Sequence, residues 1–172
     1  ALVDGKTGNI DKQITIPTFP GDGFGAYGGA VNTHGDLYFS PLGLLGASKL
    51  ARVYIDNFAY KVWTVPQEVG PYGITVDHKG RVWLSSNAIG MTGAGRFDPE
   101  TETWDLVKGF YSGAGLAQGL DNLMWIASGN GITAVNVDTL AIGPVFKSQY
   151  YMKGIGFDAK GFLWAVNYSE TD

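Results

Sequence analysis

Tyr72-Gly73-Ile74-Thr75-Val76-Asp77-His78-Lys79-Gly80-Arg81-Val82-Trp83-Leu84-Ser85-Ser86-Asn87 is the stretch on which the fold of this chain turns. Ile74 and Val76, then Val82, Trp83 and Leu84, form two short β-branched, aromatic and apolar runs. Between them Asp77-His78-Lys79-Gly80 opens with a turn-forming aspartate and closes with a glycine able to take a positive φ. Two strands joined by a tight turn are expected.

Working outward, the template returns in Gly28 to Ser40, in Gly115 to Ser128 and in Gly154 to Asn167. The aromatic anchors Tyr38, Trp83, Trp125 and Trp164 fall about 45, 42 and 39 residues apart, the period of a four-stranded propeller blade. The rest of each period holds a second hairpin around an aspartate: Val53 to Asp56 leads to Tyr60 to Val65, Arg96 to Thr101 to Thr103 to Val107, and Ala134 to Asp138 to Ile142 to Phe146. Each period is therefore four strands, a to d, with a innermost. The expected fold class is all-β: a β-propeller of four-stranded antiparallel blades, about four blade equivalents with a half-blade at each terminus.

Residues 1 to 17 read as an outer hairpin without an inner one, and Gly154 to Asn167 as an inner hairpin followed only by Tyr168 to Asp172. One domain, 1–172, is expected, with blades at 27–66, 71–109 and 113–148 and a composite of 153–168 with 1–17. Pairing strands from both termini would remove exposed edges. A closed four-bladed ring, an eight-bladed ring made by a homodimer, and an excerpt of a longer propeller all fit, and the start at Ala1 inside a motif favours the last two.

Composition narrows the partners. With 45% hydrophobic residues, 26 glycines and few charges, the chain suits a turn-rich β domain. A net charge of -4 without a Lys/Arg cluster argues against nucleic acid. No apolar run is long enough to span a bilayer as a helix. The absence of cysteine excludes disulfides, thiolate nucleophiles and Cys-ligated metals.

Where strand b ends and strand a begins, side chains converge on the mouth of the central channel. Ser40, Ser85, Ser86, Asn87, Ser128, Asn130 and Asn167 stand at the b ends, and Tyr27, Tyr72, Tyr111 and Tyr151 near the a starts. Hydroxyls, amides and phenols both donate and accept, so this ring suits a small polar ligand; strand termination by Ser and Asn is the competing reading. The b to c loops, 41–50, 87–94 and 129–131, lie on that face, and the leucines of the first are expected to cap the core, meet a protein partner or line a pocket.

The titratable residues are read structurally. His34 and His78 are taken as equivalent, solvated residues of the a to b turns. Asp4, Asp56, Asp98 and Asp138 recur at the c to d turns, and Asn32, Asp77 and Asp158 at the a to b turns, where each would bond the amide two residues on. The glycine-rich run in 18–26 lacks the helix that a phosphate cradle needs. Asn167-Tyr168-Ser169 is a glycosylation sequon.

Pro71 to Leu84, followed by Gly95-Arg96-Phe97-Asp98-Pro99-Glu100-Thr101, resembles the repeat of the virginiamycin B (streptogramin) lyase propellers, and more loosely NHL and SMP-30-type repeats. The resemblance implies a bacterial protein of the envelope or a secreted one. Those lyases linearise a cyclic depsipeptide by elimination, with a channel histidine as base and a magnesium ion held by Glu and His. Their acids follow a Trp-Phe-Thr-Glu pattern, and the matching positions here are Pro41, Ser86, Ser128 and Asn167. No catalytic residue carries over. Two readings follow: a non-catalytic binding or scaffold propeller that uses no cofactor, or part of a magnesium-dependent lyase whose catalytic residues lie outside this chain.

Overall fold

The computed structural model describes residues 1–16, 25–43, 48–86, 92–128 and 131–168. Among these the chain is all-β, with sixteen strands. Blade A is β3 (Gly28–Val31), β4 (Leu37–Ser40), β5 (Lys49–Val53) and β6 (Tyr60–Thr64). Blade B is β7 (Pro71–Val76), β8 (Val82–Ser86), β9 (Thr92–Asp98) and β10 (Thr103–Lys108). Blade C is β11 (Leu116–Gln118), β12 (Leu123–Ser128), β13 (Gly131–Asn136) and β14 (Ile142–Lys147). Each is an antiparallel meander in chain order.

The terminal hairpins β1 (Leu2–Val3) with β2 (Ile10–Lys12), and β15 (Met152–Phe157) with β16 (Leu163–Asn167), are separate two-stranded sheets. The composite blade expected from the two termini is not among the observed sheets.

The four anchors occupy one register position. Tyr38, Trp83, Trp125 and Trp164 lie opposite Ala30, Thr75, Ala117 and Gly156, small residues that leave room for a ring on the blade face. Each of the first three inserts into the next blade. Tyr38 packs with Val82, Leu84 and Phe97, and Trp83 with Leu116, Met124, Ile126 and Val135. Trp125 packs with Ile155, Phe157 and Leu163 of the C-terminal hairpin. The core is thus a series of knobs and holes between neighbouring blades.

Turn carboxylates hold the anchors. Asp77 Oδ2 accepts from Trp83 Nε1 at 2.9 Å and from Arg81 Nε at 2.7 Å, while its Oδ1 accepts from the Lys79 and Arg81 amides. Asp158 does the same for Trp164 Nε1 at 3.0 Å and for the Lys160 and Phe162 amides. In blade A both members differ: Asn32 replaces the aspartate and Tyr38 the tryptophan. The Tyr38 hydroxyl is buried without a hydrogen-bond partner among the described residues, and burial pushes its pKa up to about 12.

Two expected equivalences are corrected by register. The His34 amide donates to Asn32 as the Lys79 amide does to Asp77, so His34 matches Lys79, and Thr33 matches His78. In the c to d turns Asp4 and Asp98 accept from the amides two and three residues on. Asn136 takes this role in blade C, and Tyr54 holds the position in blade A. Gly8, Phe58, Glu102 and Leu140, four residues further on, all have positive φ. Asp56 and Asp138 lie two residues beyond the capping position and reach other turns, Asp56 to His34 Nε2 at 3.0 Å and Asp138 to Lys79 Nζ at 2.6 Å. Hydrogen bonding from Lys79, then from Asn122, holds the Asp138 carboxyl far below its usual range.

Candidate functional site

The position before the strand a glycine lies at the end of the inner strands where the channel mouth is expected. Gly28, Gly73 and Gly115 are where the next blade's inner strand comes closest. A Cβ on them would lie 3.0 Å from Ile74, 2.7 Å from the Ala114 carbonyl and 3.1 Å from the Ile155 amide, so only glycine fits without displacement. The residues preceding the four strand a glycines are Tyr27, Tyr72, Ala114 and Lys153. They fall at one level of successive blades.

Tyr27 and Tyr72 meet edge to face, with centroids 5.3 Å apart, and the Tyr27 hydroxyl donates to that of Tyr72 at 3.1 Å. That bond, then burial, raises the Tyr27 pKa. Ala114 is buried and carries no long side chain, so Lys153 reaches past blade C. Its Nζ lies 4.0 Å from the Tyr72 centroid, 5.5 Å from that of Tyr151 and 5.6 Å from that of Tyr168. Tyr151 and Tyr168 are themselves in an edge contact at 6.2 Å. The result is a half-open frame of three phenol rings around one ammonium, with Tyr27 packed against the Tyr72 ring. Among the described residues no carboxylate ion pair is formed by Lys153, nor by Lys6, Lys12, Lys49, Lys108, Lys147 or Lys160; what sets Lys153 apart is its place among three aromatic rings.

Of the residues expected at this mouth, Tyr27, Tyr72 and Tyr151 come together; Tyr111 is exposed and makes no ring contact with them among the described residues. The serines go elsewhere. Ser85 is buried, accepts from the Gly73 amide and donates to the Ala114 carbonyl, stitching blade B to blade C. Ser86 is buried too, bridging the Gly70 amide and the Glu68 carbonyl. Ser40 is buried, with no partner for its Oγ among the described residues, and Ser128 bonds the Gly131 carbonyl. Ser40, Ser85 and Ser86 are thus buried, and Ser128 is half-buried. Asn167 is exposed; Asn87 and Asn130 lie outside the described residues, as do most of the glycine-rich run, the loop leucines Leu44 and Leu45, and Ser169.

Lys153 and Tyr168 escaped the sequence reading. A signal for Lys153 was present, because it precedes Gly154 as Tyr72 precedes Gly73. The opposite mouth holds a cavity of about 430 Å³ lined by Asn32, Thr75, His78, Gln118 and Phe157, among others. There Gln118 accepts from the His78 amide at 2.7 Å and its own amide donates to Nδ1, which leaves the imidazole proton on Nε2.

At Pro41, Ser86, Ser128 and Asn167, the positions that the resemblance to the lyases would match to their acids, no residue offers a carboxylate. They do not fit a magnesium ion, which takes oxygen ligands with at least one carboxylate. Among the described residues no group of three or more His, Asp or Glu converges.

Solved structures share the architecture. Virginiamycin B lyase from Staphylococcus aureus superposes with a TM-score of 0.72 at 23% identity, over 92% of this chain and 54% of that one. The chain has a virginiamycin B lyase-like propeller fold. A gluconolactonase from Xanthomonas campestris matches with a TM-score of 0.65 at 14% identity, over 84% of this chain and 54% of that one. An extracellular domain from B. thetaiotaomicron matches with 0.59 at 14%, over 81% and 19%. The chain spans about half the length of the virginiamycin B lyase it matches. No family model and no curated protein matches it.

Proposed function

We propose that this chain is a non-catalytic binding propeller, secreted or on a bacterial envelope, whose Tyr27, Tyr72, Tyr151, Tyr168 and Lys153 mouth takes a small polar ligand bearing an anionic group. The carrying observation is the Lys153 ammonium, framed by rings and without a carboxylate partner among the described residues. Ring faces favour the flat C–H face of a sugar or similar molecule, phenol hydroxyls bond its hydroxyls, and the ammonium is left to pair with its carboxylate. The reading requires no metal. Magnesium-dependent elimination would need its acids from outside the positions that carry them in the lyases.

The test is titration with an acidic oligosaccharide, oligogalacturonate, beside a neutral galactose oligomer of equal length, followed by NMR. Binding of the acidic oligomer is expected to weaken about 10-fold in Lys153→Met, while the neutral one is unaffected. Acidic binding undiminished by Lys153→Met and Tyr72→Ala overturns the proposal, as does the lack of binding.

A further inference from the structure

His78 and Gln118 both depart from the repeat, and they meet across blades B and C. Counted from the strand a glycine, Gln118 stands where blade A has Val31, blade B Val76 and the C-terminal hairpin Phe157; His78 stands where the other three have Thr33, Leu120 and Ala159. Half-buried Gln118 accepts from the His78 amide at 2.7 Å and gives its own amide to Nδ1. The turn itself requires neither bond, since Asp77 already holds the amides of Lys79 and Arg81, and the Gly80 amide closes on the Asp77 carbonyl. A polar pair set against the repeat, with its ring fixed by a second blade, marks a site rather than a scaffold element.

The cavity of about 430 Å³ beside this pair is lined by donors that lack acceptors. With Nδ1 taken, His78 keeps its Nε2–H, which meets no acceptor among the described residues. Asn32 Oδ1 accepts from the amides of His34, Gly35 and Asp36, so its NH2 group is turned away from the turn and is also unbonded among them. The Thr33 and Thr75 hydroxyls, in the same lining, make no hydrogen bond among the described residues either. Asp77, the carboxylate in this lining, is saturated by Arg81, Trp83 and its own turn amides. Val76, Ala117 and Phe157 supply an apolar wall.

We infer that this cavity is a second binding site, for a small monocarboxylate with an apolar body. Its carboxylate accepts from His78 Nε2–H, the Asn32 amide and the threonine hydroxyls, and its body lies against Val76, Ala117 and Phe157. Free donors with no free carboxylate beside them select an acceptor that carries charge. Neutral donors without an ammonium or guanidinium suit one negative charge better than the two of a phosphate. The volume is that of a small-molecule pocket. The site lies at the far end of strand a from Tyr72 and Lys153, and it does not depend on the ligand proposed for that mouth.

The probe is benzoate, and benzamide, of the same shape without the charge, is its control. In an NMR titration to about 20 mM, benzoate should bind with a Kd on the order of 1 mM. It should move the amides of Thr33, Thr75 and His78 and the His78 Nε2 resonance, and leave the amides of Tyr72 and Lys153 in place. Benzamide should bind about 10-fold more weakly. Thr75→Val, which exchanges a hydroxyl for a methyl group, and His78→Phe, which keeps a ring and the amide bonded to Gln118, should each weaken benzoate about 10-fold. Circular dichroism checks that each variant keeps its sheet. The inference is overturned if benzoate moves none of these residues, if it moves only those of the tyrosine mouth, or if benzamide binds as well. Folded variants that both bind benzoate as the unaltered chain does overturn it too, and would leave Gln118 and His78 as a staple between blades.

Discussion

Trp83 and Trp164 are the same residue in two copies of one hairpin. Each lies opposite a small residue of strand a and gives its indole N–H to the turn aspartate, at 2.9 and 3.0 Å. One is fully buried and the other 66% exposed. The hairpin therefore makes its own shape, and the neighbouring blade supplies the burial. Stability in this chain is a property of contacts between repeats, added one interface at a time.

The largest test removes each ring. Trp83→Ala should cost about 3 to 5 kcal/mol, since it empties a site closed by Leu116, Met124, Ile126 and Val135. Trp164→Ala should change stability by no more than about 0.5 kcal/mol in denaturant titrations, because the residue is already 66% exposed. Equal losses would mean that Trp164 is covered as Trp83 is.

How much of this was legible in the sequence follows from the same repeat. The hairpin pattern placed blades at 27–66, 71–109 and 113–148, and the strands fall at Gly28–Thr64, Pro71–Lys108 and Leu116–Lys147. Hydrophobic alternation and turn chemistry are local, so they can be read from a short window. The candidate site was legible only in part, because it depends on register between blades. Matching residues by type paired His34 with His78 and Asp56 with Asp98; counting from the strand a glycine separates the histidines and brings Lys153 into line with Tyr27 and Tyr72. The burial of Ser85 and Ser86 was hidden for another reason. The ladder is irregular between Pro71 and Ile74, and there the Gly73 amide turns to Ser85 Oγ.

Acid sharpens the comparison between an inner blade and the edge. The Asp158 carboxyl is held below its usual range, first by the Trp164 indole N–H and then by the Phe162 amide. Burial pushes the Asp36 carboxyl up, but the Ile55 amide and Arg52 outweigh it, and its pKa is also lowered. A lowered folded pKa gives stability that is present above the unfolded value, about 4, and is lost as pH falls through the folded one. On lowering the pH from about 5 to 2, hydrogen-exchange protection at Lys160 and Phe162 should fall first, since their turn belongs to a hairpin covered on one side only. Protection at Ile55, which donates to the buried Asp36, should persist until blade A opens. Loss at all three amides together would place the C-terminal hairpin in the same cooperative unit as blade A.

The smallest effect concerns one methyl group. At Gly73 a Cβ would lie 2.7 Å from the Ala114 carbonyl and 2.9 Å from Leu116, so Gly73→Ala must push blades B and C apart and should cost about 1 to 3 kcal/mol. At Gly154 the nearest atom is Val166 Cβ at 4.0 Å and φ is not in the left-handed region. Gly154→Ala should stabilise the chain by about 0.4 to 1 kcal/mol, because alanine narrows the unfolded ensemble without a clash. Opposite signs for the two variants in denaturant titrations would separate a glycine that a neighbouring strand requires from one whose Cβ position no atom of another blade approaches within 4 Å among the described residues. A loss at both would mean that Gly154 is crowded as Gly73 is.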